Sequence, residues 1–409
     1  MAKRRPDEVA GIVEGVIDEI EAALSADPAA LQEKYKRRQP ESGGRLRYHS
    51  LFEGNFNAPD APESFKAPDE LEAINTLLYR RGWTDGLPVI PPTPARVTAM
   101  LEGWERQALL GLIEPKLGKA TVAKVAANAV MAGASPEHFP IIAAAARGLA
   151  RHELNLKALQ TTTHPCTVLA MVHGPIAEAA GLNATYNAMG QGRLANAAIG
   201  RAVRFMLLNI GGATPGVLDR STQGTPAKYS FCFAENAADN PWQPLSVERG
   251  FRADQSTLTL AGVEGPHNVN DHYGKTAKEI LLTICGTLAV TGANNSYLGG
   301  EIILALGPEH AEVIARDGFS KDEVKRFLLE HAVIPGWHVN ESQAEMMSRR
   351  VADRFVDGDW KKGARIFSAP EEVMLVVAGG AGRHSSVIFS FGNTASVTVP
   401  ILDAAGREL

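Results

Sequence analysis

Apolar positions recur along the chain at helical spacing, interrupted by short runs in which every position is apolar. Residues 8–25 carry Val9, Ile12, Val13, Val16, Ile17, Ile20 and Leu24 as one stripe with acids opposite, which predicts an amphipathic helix. Residues 33–68 lose that period and are rich in glycine, proline and aromatics. The expectation is an N-terminal helical arm with an irregular linker over 1–67, its stripe buried on the body or on a neighbouring subunit. A second helix is predicted over 68–82, with Leu71, Ile74, Leu77 and Leu78 on one side. The prolines and glycine of Asp85-Gly86-Leu87-Pro88-Val89-Ile90-Pro91-Pro92-Thr93 exclude a helix and fix an extended path. Thr93 and Pro94 then supply the cap and first-turn proline of a helix over 95–105.

From residue 119 the chain reads as strand–turn–helix units. Alanine-rich helices are expected over 119–133 and 137–152. A buried strand over 167–173 closes in Gly174-Pro175 and a short helix; another over 302–306 closes in Gly307-Pro308 and a helix over 309–316; a third over 373–378 runs into Gly379-Gly380. These strands are apolar throughout, the pattern of a sheet covered on both faces. The fold class they imply is α/β, a mainly parallel sheet flanked by helices in one body over 68–409. Leu117-Gly118-Lys119 echoes Tyr273-Gly274-Lys275, and Met131-Ala132-Gly133-Ala134 echoes Val290-Thr291-Gly292-Ala293, which suggests two related halves over 95–215 and 260–400. A helix over 194–210 stops at Gly211-Gly212. Residues 213–270 form a stretch rich in Gly, Pro, Ser, Thr and Asn. It is too long for a passive connection, so it is expected to be a lid or the lining of a site.

Composition narrows the class. The chain has 409 residues, 45% hydrophobic and 21% charged, an ordinary globular balance. A net charge of −5 without a basic stripe argues against nucleic acid as a partner. Three scattered cysteines, Cys166, Cys232 and Cys285, are too few for a disulfide framework or a thiolate zinc site and suit a reducing compartment. No signal-peptide core and no run of ~18 apolar residues is present, so the expectation is a cytoplasmic protein without a membrane partner. The arm suggests a homo-oligomer.

Candidate chemistry gathers in three places. Around the first buried strand lie His164, Cys166 and His173, residue types that serve as metal ligands or as an activated thiol with its base. The segment Gly265-Pro266-His267-Asn268-Val269-Asn270-Asp271-His272 is dense in imidazole, amide and carboxylate. Its expected role is to hold a divalent transition metal (Zn, Fe, Mn or Ni) through His267 and His272, with His164 or Asp271. The bland alternative is a solvated turn in which Asp271 caps the following helix. Glu235, among apolar and aromatic residues, is a candidate general acid–base, while Glu248 and Arg249 read as well as a structural ion pair. Arg193, at a glycine-rich helix start, and Arg383 with His384, after a strand, are candidate anion binders. Dinucleotide, Walker, nucleophile-elbow and zincin fingerprints are absent from the sequence.

The Asp-Gly-Leu-Pro segment at Asp85, with Gly307-Pro308-Glu309-His310-Ala311 and the closing Gly379-Gly380-x-Gly382-x-His384-Ser385, resembles a group of bacterial proteins of unassigned function. Some of these occur alongside small thiol or selenol proteins named for a U-G-S-C motif. The resemblance covers most of residues 70–402 and implies a shared fold and a site drawing on Asp85, His310 and His384. It also implies a small thiol or selenol protein as a partner, because this chain lacks a Gly-Ser-Cys of its own.

The function expected from these residues is a metal-dependent lyase or hydrolase acting on a small polar or anionic molecule, with metal-bound water as nucleophile or base. Glu235 would relay protons and Arg193 or Arg383 would orient the anion. One alternative is a thiol enzyme using Cys166 with His164 or His173 as base; the other is a non-catalytic small-molecule binding protein.

Overall fold

Alternation along each strand decides which layer its side chains enter. In β3 (Thr167–His173), buried along its whole length, Val168, Ala170 and Val172 face a cluster shared with helices, while Leu169 and Met171 face a second, separate cluster. In β7 (Ile302–Leu306), Ile302, Leu304 and Leu306 likewise face helices, and Ile303 and Ala305 join Leu169 and Met171. The two central strands thus share one interior layer. The architecture that follows is four layers deep: helices, sheet, sheet, helices.

The structure is a computed structural model and describes residues 64–392 and 394–409, with Ile17, Ser25 and Asp27 before them. The expected arm over 1–67 falls, apart from its last residues and those three, outside the described residues. Helices α1 (Leu71–Arg80), α2 (Pro94–Met100), α3 (Val122–Ala132), α4 (Phe139–Leu149) and α5 (Leu194–Phe205) contribute to the first helical layer. Thr93 caps α2 as expected, its hydroxyl accepting from Arg96 N with Pro94 in the first turn. Helices α6 (Ala277–Leu288), α7 (Pro308–Arg316) and α8 (Lys321–His331) contribute to the other outer layer. No helix among the described residues is long and apolar enough to cross a membrane.

Two short strand pairs, β1 (Leu109–Ile113) with β2 (Gly118–Thr121) and β8 (Val333–Ile334) with β9 (Ala364–Arg365), accompany two four-stranded sheets that share one plan. The first runs β4 (Cys232–Ala234), β3, β5 (Thr257–Val263), β12 (Val397–Pro400); the second runs β10 (Val373–Val377), β7, β11 (His384–Ile388), β6 (His267–Asn270). In each, the first pair is parallel and the next two are antiparallel. The fourth strands are exchanged: β6 follows β5 in sequence but lies in the second sheet, and β12 follows β11 but lies in the first. An antiparallel bridge from Val263 to Ser390 joins the two where these strands cross. The halves drawn at 95–215 and 260–400 do not coincide with this plan, because β4 falls between them and residue 260 divides β5.

The α/β class stands, but the sheets are mixed rather than mainly parallel. Continuous apolar strands signal two covered faces without saying what covers them. Here one cover is a helical layer and the other is the second sheet, and sheet-on-sheet packing places no demand on strand direction. The repeated Gly-Pro after β3 and β7 also has a steric cause. A Cβ on Gly174, whose φ is +87°, would meet Gln255 O at 2.6 Å, and one on Gly307 would meet His384 O at 2.1 Å.

Candidate functional site

Helix α5 presents its apolar stripe to the core, and one cation lies within that stripe. Arg204 is 8% exposed, between Val203 and Phe205. Directly after Phe205 the helix widens into a π-turn, Met206–Ile210, a distortion often found beside functional sites. The chain then folds back over this helix end as an irregular segment. Gly216 and Gly224 take positive φ, and Thr222 N and Oγ1 donate to Thr163 O at 2.9 and 3.2 Å. Between segment and helix is a cleft of about 520 Å³, lined by Thr84, Arg204, Asp219, Ser221, Thr225 and Lys228 among others. That volume lies within the range of small-molecule sites.

Asp219 organises the cleft. Its carboxylate accepts from Lys228 Nζ at 2.9 and 2.7 Å, from Arg204 Nη2 at 3.2 Å and from Ser221 N at 3.2 Å. Burial pushes the Asp219 carboxyl up, but the hydrogen bond and charge of Lys228 and the charge of Arg204 outweigh it and hold the group below its ordinary value. Burial likewise lowers the Arg204 guanidinium, opposed by Asp219. Arg204 Nη1 also reaches Gln160 Oε1 at 3.3 Å. Ser221 Oγ donates to His164 O at 2.9 Å and receives Lys228 Nζ at 2.6 Å. With its proton on a carbonyl and an ammonium at its lone pair, this hydroxyl is arranged to bind rather than to attack.

Charge decides what the cleft fits. Two cations, Arg204 and Lys228, share one carboxylate. The other lining acid, Asp85, is neutralised from outside by a bidentate pair with Arg201 at 2.7 and 2.8 Å. One positive charge is left over, beside the hydroxyls of Ser221 and Thr225.

The sequence candidates fall in several places. Asp85 does border the cleft, but its carboxylate is committed: Arg201 clamps it, and Leu87 N donates to it at 3.1 Å. It anchors the Asp-Gly-Leu-Pro segment to α5. Cys166 is buried, its Sγ 3.6 Å from Leu159 O, and burial pushes its thiol up to about 12. A thiol held neutral is a poor nucleophile. The proposed base His173 lies seven residues along β3, roughly 23 Å away by strand rise, and so cannot serve it. His173 and Glu235 instead meet each other at 2.7 Å with side-chain exposures of 0% and 2%. Thr259 Oγ1 takes the other imidazole nitrogen at 3.0 Å, and Asn240 Nδ2 and Leu245 N donate to Glu235. Both oxygens of Glu235 are occupied, and the pair ties together the ends of the neighbouring strands β3 and β4.

The four expected metal ligands do not form one set, and no group of three or more His, Cys, Asp or Glu side chains able to hold an ion converges among the described residues. His164 Nε2 meets Glu264 at 2.8 Å. The Asp271 carboxylate accepts from Tyr273 N, Gly274 N and Thr283 Oγ1, closing its own loop. The cap of α6 is Thr276, in a box with Glu279, rather than Asp271. His267 is exposed on edge strand β6, and His272 pairs with His384, Nε2 to Nε2, at 3.2 Å. His310 is fully buried: Nδ1 meets Ser385 Oγ at 2.8 Å and Nε2 meets Asp271 O at 3.0 Å, so it ties α7 to β11 and the 271 loop. Arg193 is exposed at the start of α5, and Arg383 reaches Gly274 O and, at 3.7 Å, Glu309. Neither lines the cleft. Glu248 and Arg249 do not pair with each other: Glu248 takes Lys321 and Lys325, and Arg249 takes Glu301.

Models of known protein families, curated proteins and solved structures were compared with this chain, and none matches. Sequence reasoning marked the 213–270 stretch as the lining of a site but missed Arg204, Asp219, Ser221 and Lys228. A guanidinium inside the apolar stripe of α5 was the available signal, since such a charge must find a buried partner.

Proposed function

We propose that the protein binds a small carboxylate- or phosphate-bearing molecule in the cleft between α5 and residues 213–230. The observation that carries this reading is the charge count: two lining cations share a single free carboxylate, in a cleft of ligand size. An incoming anion would take Lys228 and the outward face of Arg204 as charge partners. The hydroxyls of Ser221 and Thr225 would supply hydrogen bonds, and backbone turns at Gly216 and Gly224 would let the covering segment adjust. A metal-dependent lyase or hydrolase centred on the paired imidazoles of His272 and His384, outside the cleft, is the second reading. It would draw its metal from that pair and not from the set His164, His267, Asp271 and His272.

The test is a thermal-shift series with mono- and dicarboxylates and phosphate monoesters on the wild type and on Lys228→Met. This substitution leaves Arg204 and Asp219 as a neutral pair, so the fold is expected to persist. A ligand at ~100 times its Kd stabilises by about 2.7 kcal/mol. The expected result is such a shift for at least one anion class, with affinity at least ~10-fold weaker in the variant. No shift with any anion, or shifts that survive the substitution unchanged, would overturn the proposal.

A further inference from the structure

His384 opens β11 and His272 sits in the loop that follows β6, so the pair lies apart from the cleft residues and the argument is independent of them. Both rings are exposed, yet both are held. The His272 loop is closed by the Asp271 carboxylate on Tyr273 N, Gly274 N and Thr283 Oγ1, and by His310 Nε2 on Asp271 O. His384 Nδ1 lies 2.9 Å from Asn268 Oδ1, and an N–H donated to that oxygen leaves Nε2 with a lone pair. That lone pair faces His272 Nε2 at 3.2 Å, with ring centroids 5.0 Å apart and planes inclined at 80°.

Two imidazoles sharing one ion at ~2.0–2.1 Å with a tetrahedral angle have nitrogens about 3.3 Å and centroids about 5.2 Å apart. The nitrogens at 3.2 Å and centroids at 5.0 Å are close to that spacing, so the pair can take an ion with little movement of either ring. An orienting acceptor on the far nitrogen of a ligating histidine is also the usual outer partner of a metal site.

We propose that His272 and His384, with Asn268 fixing the ring of His384, form a two-histidine site for a divalent transition ion, open to solvent. Neutral imidazoles suit Zn²⁺, Ni²⁺ and Cu²⁺. Asn270 lies directly opposite His384 in the β6–β11 register, which places a further amide at the site. Arg383, beside His384 in the chain, is drawn aside by Glu309 and Gly274 O. With no third imidazole, thiolate or carboxylate in the group, the other coordination positions fall to water or to an incoming ligand. Protons compete for the same nitrogens, so binding weakens on acidification.

The experiment is calorimetric titration of the metal-free full chain with Zn²⁺ and Ni²⁺, alongside His272→Ala, His384→Ala and Asn268→Ala. Cobalt(II) absorption is recorded as a probe of coordination. The expected result is one ion per chain, lost in both histidine variants and about 10–100-fold weaker in Asn268→Ala. Both rings are exposed, so unchanged melting curves would show that the histidine variants remain folded. Stoichiometric binding that survives in the His272→Ala/His384→Ala double variant, or wild type that binds no ion, would overturn the proposal.

Discussion

Replacing Asp219 by Asn keeps the shape of the side chain and removes the one carboxylate that Arg204 and Lys228 share. Two opposite effects should follow. Breaking a buried ion pair from one side costs about 3–5 kcal/mol. Asp219 and Arg204 are each 9% exposed at the side chain and Lys228 is 16% exposed. Water therefore screens part of the loss, and about 2–4 kcal/mol remains. At ~2 °C per kcal/mol for a body this large, that corresponds to a fall in Tm of roughly 4–8 °C. Anion binding should strengthen at the same time, because the competing carboxylate is gone. The stability cost also has a pH signature. The Asp219 carboxyl is held below its ordinary value in the fold, so its contribution is complete above the unfolded range of ~3.9 and is lost as pH falls through the folded value. Urea unfolding of both proteins from neutral to acid pH, with m held constant, reads the gap directly. The gap should be flat near neutrality and close in acid. A variant as stable as the wild type, or a gap that persists undiminished in acid, would refute the charge argument.

Other consequences are local. Arg201→Lys exchanges a bidentate clamp on Asp85, which also reaches Leu87 O and Pro88 O, for a single point charge. Faster amide exchange over residues 84–90 is expected, with a stability loss of about 1–3 kcal/mol. Glu235→Gln should cost about 2–4 kcal/mol in denaturant titration yet leave anion affinity at the cleft unchanged, because the His173–Glu235 pair is buried away from it. A shift in affinity would place that pair back in the functional machinery. Burial pushes the thiols of Cys166, Cys232 and Cys285 each up to about 12, so iodoacetamide should label none of them in native protein at neutral pH and all three in urea. Rapid native labelling of Cys166 would revive the thiol reading.

Much of the fold was legible because its signals are local. The strands at 167–173 and 302–306, the Thr93–Pro94 helix start and the stop at Gly211-Gly212, where Gly212 takes a positive φ, follow from periodicity, capping and glycine conformation acting within a few residues. Sheet pairing was not legible, because a fully apolar strand reads the same whether a helix or another sheet covers its second face. Exchange of β6 and β12 between sheets depends on contacts across more than a hundred residues and leaves no periodic trace. Site chemistry suffered from the same limit. Histidine and acid density drew attention to 265–275, where Asp271 and His310 turn out to brace a loop. The ionic cluster at the cleft joins Arg204, Asp219 and Lys228 from a helix and an irregular segment, with Gln160 from a third element, and no spacing rule connects them. Asp85 was singled out as a site residue, and its carboxylate is clamped by Arg201, 116 positions away, a partner that no local signal reveals.

The account rests on an anion seated in the 213–230 cleft, and the direct measurement is a crystal structure of the protein soaked with the anion that raises its Tm most. The account predicts density in the cleft with an oxygen at hydrogen-bond distance from Lys228 Nζ and a second contact to Arg204, Ser221 or Thr225. Density elsewhere, with the cleft left to water at saturating ligand, would contradict it.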